Sequence, residues 1–305
     1  LSQEECTKDR PGKVPLAGRV PVIAQVVGNP TSVRTLVAGG KAQLTLPGCG
    51  PAQLNAGQSG YYRTLYPPTQ FAALRDHFVN LSSLDQLGVL SDTWALGLAG
   101  LQPASDYLDL AVATPVDADP KIWGDIANTL NQLDGYYRSD AARQATFRAF
   151  ATRQLNPVLA RLGWDAQAGE SDPVAILRLQ LISTLARLGD AEVIAEARRR
   201  YAAQATDPAA LPAGLRKTVL AVVAWHADAA TWEQLRAAAV AEKTPLVKDG
   251  LYRLLASTRD PMLARRALEL ALTDEPGATT SPRMISDVAG QHLGLEAADA
   301  ARAPD

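Results

Sequence analysis

The segment Asp172-Pro173-Val174-Ala175-Ile176-Leu177-Arg178-Leu179-Gln180-Leu181-Ile182-Ser183-Thr184-Leu185-Ala186-Arg187-Leu188-Gly189-Asp190 reads as a complete helix with its start and stop signals. Asp172 offers an N-cap oxygen. Pro173 stands at the first helical position, where its missing N–H costs nothing. Val174, Leu177, Leu181, Leu185 and Leu188 then follow at steps of three and four, which lines them up as one apolar stripe. Gly189 ends the helix and Asp190 caps the next.

The same grammar recurs. Asp119-Pro120, Asp260-Pro261 and Ser281-Pro282 each place an N-cap oxygen before a proline. Leu251, Leu254 and Leu255, and then Met262, Leu263 and Leu270, form further stripes. Helix starts are expected near residues 69, 82, 103, 119, 140, 172, 190, 211, 228, 245, 261 and 281. From residue 172 the spacing is two helices per roughly 35–40 residues, that of an α-hairpin solenoid with degenerate repeats.

Upstream of residue 68 the chain changes character. Short apolar runs at 20–27, 34–37 and 43–46 are separated by Asn29-Pro30, Gly39-Gly40 and Pro47-Gly48, the pattern of a small β-module. A last strand is expected over Tyr61–Tyr66, stopped by Pro67-Pro68. The expected organisation is therefore a β-sandwich over residues 1–68 and a mainly α, HEAT-like superhelical domain over 69–305.

Composition narrows the function. Thirty Lys and Arg against 32 Asp and Glu give a net charge of −2, without the basic excess that nucleic-acid binding by counterion release needs. At 47% hydrophobic and 20% charged the chain is that of a folded protein with a real core. No uninterrupted apolar run reaches the roughly 20 residues of a spanning helix. Leu1-Ser2-Gln3-Glu4-Glu5 has neither a basic nor an apolar leader region, and the absence of an initiator Met points to a processed or partial chain. Cys6 and Cys49 are too few for a disulfide framework; they either pair in an oxidising compartment or act as small core residues.

Few residues offer chemistry. His77, His226 and His292 are too far apart in sequence for a zincin pair at i and i+4. His226, after Trp225 on an apolar helix, reads as a core-edge histidine; His77 and His292 suit helix C-termini. Gly57-Gln58-Ser59-Gly60 superficially matches a nucleophile elbow, but the expected strand follows it instead of preceding it, so it reads as a turn. Arg198-Arg199-Arg200, with Glu196 four residues before Arg200, reads as a solvated helix face. Asn80-Leu81-Ser82 fits a glycosylation sequon, which is too short to stand alone. Asp172, Asp190, Asp228 and Asp260 read as helix caps, not as catalytic carboxylates.

One run is distinctive. Asn55-Ala56-Gly57-Gln58-Ser59-Gly60-Tyr61-Tyr62-Arg63-Thr64-Leu65-Tyr66 resembles the Asn-x-Gly-Gln-x-Gly-Tyr-Tyr-Arg-Val-x-Tyr signature of zinc aminopeptidases of the aminopeptidase N family. Asp85 to Leu96 is similar to that family's Asp-Arg-x-x-Leu-x-x-Asp-x-Phe-x-Leu helix, Leu177 to Ile182 to its Leu-Arg-x-x-Leu-Leu helix, and the segments at 257–263 and 268–272 to a helix pair. Cys6 and Gly18 stand where the family has Phe and Trp.

The resemblance implies a non-catalytic C-terminal fragment, truncated at both ends. It would enclose the active-site chamber of an aminopeptidase that removes N-terminal residues from peptides; the Ala-rich composition and short loops point to a bacterial source, with the parent protein periplasmic or cytoplasmic. The zinc site, the substrate clamp and the catalytic Tyr of the family lie upstream of its signature. The resemblance therefore implies no metal, cofactor or catalytic residue in this chain and zinc in the parent enzyme. The partners it implies are the catalytic domain of the same polypeptide and peptide substrates. Arg178 is the one residue it offers as a chamber-lining candidate; the alternative is an arginine that satisfies carbonyls at a turn. A free-standing helical-repeat scaffold for a protein partner fits the helical pattern equally well.

Overall fold

The computed structural model describes Leu1 and residues 18–300, with side chains as far as Gln291. It is mainly helical. Among the described residues there are twelve α-helices and one three-stranded sheet. The chain divides into two compact units, Leu1–Ile126 and the part from Ala127 onward.

In the first unit, β1 (Val20–Val26) pairs antiparallel with β2 (Ser32–Val37) and with β3 (Ala52–Leu54), giving the order β2-β1-β3. The register sets Val20 opposite Val37 and Ala24 opposite both Val33 and Leu54. Alternation puts Val22, Ala24 and Val26 on the buried face, where Val37 joins them. Two expected strands are absent. Residues 43–46 carry no ladder, and neither does the segment Tyr61–Tyr66. In the latter Arg63 and the Thr64 N–H bond to a helix, while the Tyr66 hydroxyl bonds to Leu54 of β3. The third strand, β3, is only three residues long, too short for alternation to mark.

The helices begin with α1 (Pro68–Asp76), α2 (Ser83–Leu98) and α3 (Ala104–Ala113). The side chains of Phe71, Leu74, Phe78, Leu90, Leu96 and Leu110 are buried among them. Ser82 caps α2: its Oγ accepts from the Asp85 N–H at 3.2 Å and donates to Asp85 Oδ2 at 2.7 Å. The next helix, α4 (Pro120–Tyr136), starts as expected, with Asp119 Oδ1 accepting from Lys121 N–H at 2.8 Å.

The second unit continues with α5 (Ala141–Leu162), α6 (Asp172–Leu188), α7 (Ala191–Ala203), α8 (Ala213–Trp225), α9 (Ala229–Ala241), α10 (Pro245–Ala256), α11 (Pro261–Ala271) and α12 (Ser281–Ala300). Consecutive helices pack in pairs, and α6, α8, α10 and α12 also touch in succession. The α6 stripe behaves as its spacing requires: Leu177, Leu181, Leu185 and Leu188 are all buried. Met262 departs from its stripe and is exposed, while Leu263 and Leu270 are buried.

Four turns in this unit share one device. Asp140, Asp190, Asp228 and Asp260 each accept a backbone N–H from the first turn of the following helix. Asp172 does not cap: Ser171 holds the N-cap position without a side-chain bond, and Asp172 stands inside the first turn, where a negative charge still suits the helix dipole.

Carbonyls at helix C-termini have no partner within their own helix, and here a neighbouring element supplies one. His226 Nε2–H donates to Ala186 O of α6 at 2.8 Å, Arg259 N–H to Trp225 O of α8 at 3.1 Å, and Trp232 Nε1–H to Leu255 O of α10 at 3.1 Å.

His226 is 5% exposed, and burial, opposed by its bond to Ala186, holds its pKa below the ordinary value of 6.5. The positive charges of Arg259, Arg198 and Arg148 push the same way. The folded state therefore favours neutral imidazole, and the unfolded state binds more protons as pH falls past 6.5. The stability that this group contributes is complete above that pH and declines below it. Urea unfolding of the wild type and of His226→Gln between pH 7.5 and 5 is expected to show this component of the pH slope in the wild type and not in the variant.

Candidate functional site

The distinctive run at 55–66 does not form an active site; it forms a clasp. Asn55 sits in the left-handed region at φ 55°, and its side chain closes a loop on itself. Its Oδ1 accepts from Gly60 N–H at 2.8 Å, while its Nδ2 donates to Gly60 O at 3.1 Å. Gly57 is also left-handed, at φ 74°, a conformation that favours glycine. Gly60 is needed for space: a Cβ there would lie 2.2 Å from the Tyr62 ring.

Helix α2 receives this loop on one face. Asp85, Gly88 and Asp92 stand at i, i+3 and i+7 and therefore align. Asp85 Oδ1 accepts from Gly57 N–H at 2.8 Å and from Gln58 Nε2–H at 3.4 Å. The Gln58 side chain lies so close over Gly88 that a Cβ there would come within 2.1 Å of it. One turn further on, Asp92 Oδ2 accepts from Thr64 N–H at 2.9 Å, and Asp92 Oδ1 from Arg63 at 3.1 Å. Arg63 also donates to Ser91 O and Oγ, at 3.0 and 3.1 Å. Tyr66 closes the far end, its hydroxyl oxygen accepting from Leu54 N–H at 2.9 Å.

The electrostatics are those of a partly dry joint. Desolvation pushes the Asp92 carboxyl above its ordinary range despite the bond from Thr64 and the charge of Arg63. Burial raises Tyr62 above the usual phenol and Tyr66 well above it. Tyr61 alone in the run points fully outward. Ser59 is exposed, and its hydroxyl has no hydrogen-bond partner among the described residues, so no base is placed to activate it.

Arg178, the chamber candidate, lies in the second unit and is 3% exposed. Its Nε–H donates to Gly163 O at 3.0 Å and an Nη2–H to Leu162 O at 3.3 Å, which satisfies the C-terminal end of α5. The other guanidinium edge grips Glu170, at 2.7 and 2.5 Å. That bidentate contact holds the Glu170 carboxyl at about 2, below its ordinary 4.5. Glu170 lies eight residues upstream in a loop, a spacing that no helical or strand periodicity flags.

Arg200 corrects the solvated-face reading of 198–200. It is 8% exposed, pairs with Asp165 at 2.7 and 2.8 Å, and keeps the expected bond to Glu196 at 2.7 Å. Arg199 does face solvent. Cys49 is exposed and is no core residue; Cys6 lies outside the described residues. The His292 side chain lies outside them too. Among the described residues no helix is long and apolar enough to cross a membrane.

Comparison with known proteins bears on the same segments. A family model described as the ERAP1-like C-terminal domain matches residues 53–300. The chain is 30% identical over 233 residues to Aminopeptidase M1-A of Oryza sativa subsp. japonica, covering 73% of this chain and 26% of that protein. It is 28% identical over 235 residues to Aminopeptidase M1 of Arabidopsis thaliana, covering 74% and 27%. It is also 30% identical over 158 residues to Tricorn protease-interacting factor F2 of Thermoplasma acidophilum, covering 51% and 19%. The chain thus spans about a quarter of the length of the plant aminopeptidases it matches.

Two measurements check this geometry. Gly88→Ala is expected to destabilise the chain by about 1–3 kcal/mol through overpacking against Gln58, and by clearly less in a Gln58→Ala background; equal costs in both backgrounds would contradict the close approach. By carbon-13 NMR the Glu170 carboxyl should titrate near 2. In Arg178→Gln it should move back toward 4.5. The stability it contributes is accordingly present above its ordinary pKa and lost as pH falls toward 2.

Proposed function

Because the chain belongs to the ERAP1-like C-terminal domain family, we propose that it is the non-catalytic C-terminal part of a zinc-dependent aminopeptidase. In this reading the β-strands belong to a small sandwich. The helices from α5 onward stack as HEAT-like repeats and form a curved wall around a reaction chamber. The wall admits peptide, limits its length and keeps out bulk water, while bond breaking belongs to other polypeptide. Its partners are the catalytic portion of the same protein and the peptide substrate.

The observation that carries the reading is the clasp. The run Asn55–Tyr66, which holds the specific part of the family pattern, and the supporting helix segment Asp85–Asp92 are joined directly through Gly57, Gln58, Arg63 and Thr64. The pattern therefore describes one physical joint and not two chance matches. Arg178 serves the proposed wall by fixing the turn between α5 and α6.

The described residues do not fit a zinc site. No group of three or more His, Cys, Asp or Glu among them is placed to hold a metal ion, and His226 Nε2 is engaged by Ala186 O. No step of peptide hydrolysis is therefore assigned to this chain.

The purified 305-residue chain is expected to release no N-terminal residue from aminoacyl reporter peptides, with or without added zinc. Zinc-dependent release by this chain alone would overturn the proposal. Sequencing of the parent reading frame supplies a second test: it should encode a His-Glu-x-x-His motif upstream of Leu1, and a frame that begins near Leu1 without one would leave the scaffold reading instead.

A further inference from the structure

Three indoles of the second unit carry a guanidinium over the ring: Trp164 under Arg200 at 5.3 Å, Trp225 under Arg187 at 4.9 Å, and Trp232 under Arg266 at 4.7 Å. Two of these stacks include a carboxylate from the chain itself. Arg200 pairs with Asp165 and Glu196, and Arg266 pairs with Glu233. The third does not. Arg187, in the last turn of α6, is exposed and makes no hydrogen bond or ion pair with any described residue.

The nearest acid in sequence, Asp190, is committed elsewhere: its Oδ1 accepts from Val193 N–H at 3.0 Å and its Oδ2 from Asn156 at 2.8 Å. The charge that does act on Arg187 is positive and comes from Arg138, which is exposed and equally without a partner among the described residues. Partial burial and this neighbour both push the Arg187 pKa down, so the pair sits at an electrostatic cost that a negative group would relieve.

We propose that Arg187, held over the Trp225 ring with Arg138 close by, is a binding site for the side-chain carboxylates of an acidic polypeptide. Carboxylate is the group that completes the same stack at Trp164 and at Trp232. A guanidinium already pinned on an indole presents its free edge as a preorganised fork that a carboxylate matches with two bonds. Charge complementarity does the rest, since two unpaired cations attract a run of acidic side chains more than a single one. The site goes beyond the aminopeptidase reading and does not depend on it.

The test uses the full chain and a fluorescein-labelled hexaglutamate peptide, with hexaglutamine as the neutral control, followed by fluorescence anisotropy at low salt. Hexaglutamate should bind, hexaglutamine should not, and added salt should weaken binding. Arg187→Gln is expected to weaken binding by at least about tenfold. Arg138→Gln, an exposed change that breaks no hydrogen bond or ion pair with a described residue, should also weaken it, and keeps the test decisive if the first variant folds poorly. Arg161→Gln, an equal change of charge at another exposed position, should leave binding unchanged. Absence of hexaglutamate binding, an equal loss in Arg161→Gln, or displacement of the peptide by inorganic phosphate at matched ionic strength would each overturn the proposal.

Discussion

A packed helix leaves backbone groups at both ends that its own hydrogen bonds cannot reach, and this structure is organised around satisfying them. At N-termini a short polar side chain does so: Ser82, Asp119, Asp140, Asp190, Asp228 and Asp260. At C-termini the donor comes from another element. Arg178 serves α5, His226 serves α6, Arg259 serves α8 and Trp232 serves α10. The first kind of bond is local and sets where helices begin. The second is long-range and sets which helices lie beside which, because a buried carbonyl without a donor is costly.

The clasp in the first unit follows the same logic with a loop in place of a helix. A turn that bends through three left-handed residues, Asn55, Gly57 and Gln58, exposes N–H groups that no ladder takes up. Asp85 and Asp92 accept them from one face of α2. The need for close approach explains the small residues: Gly88 gives Gln58 room to lie across the helix, and Gly60 gives the Tyr62 ring room to fold back. The polar groups of the joint are spent on holding the turn against α2.

Charged side chains follow a hierarchy of burial. Arg178 and Arg200 are enclosed and carry bidentate carboxylate partners, the arrangement that makes a buried guanidinium tolerable. Arg75, Lys121 and Arg265 pair at the surface, where such contacts contribute little. Arg187 falls outside both groups, stacked on an indole but unmatched in charge, and that exception singles it out.

The sequence alone determined the helices, their starting points and the mainly α class, because caps, prolines and stripes act within a few residues. The α6 stripe and the caps at Asp190, Asp228 and Asp260 follow from spacing. The family signature was equally legible, as a string of residue types. Tertiary structure decided what lies between those local signals. It made Tyr61–Tyr66 part of a clasp instead of a strand, since Asp92 offered acceptors to Arg63 and to the Thr64 N–H. It moved Arg200 from a solvated face to a buried position, paired with the exposed Asp165, thirty-five residues away. It also gave Arg178 the partner Glu170 across a loop. Each of these depends on which acceptor comes within about 3 Å once the chain has closed on itself, and no periodicity along the chain encodes that distance.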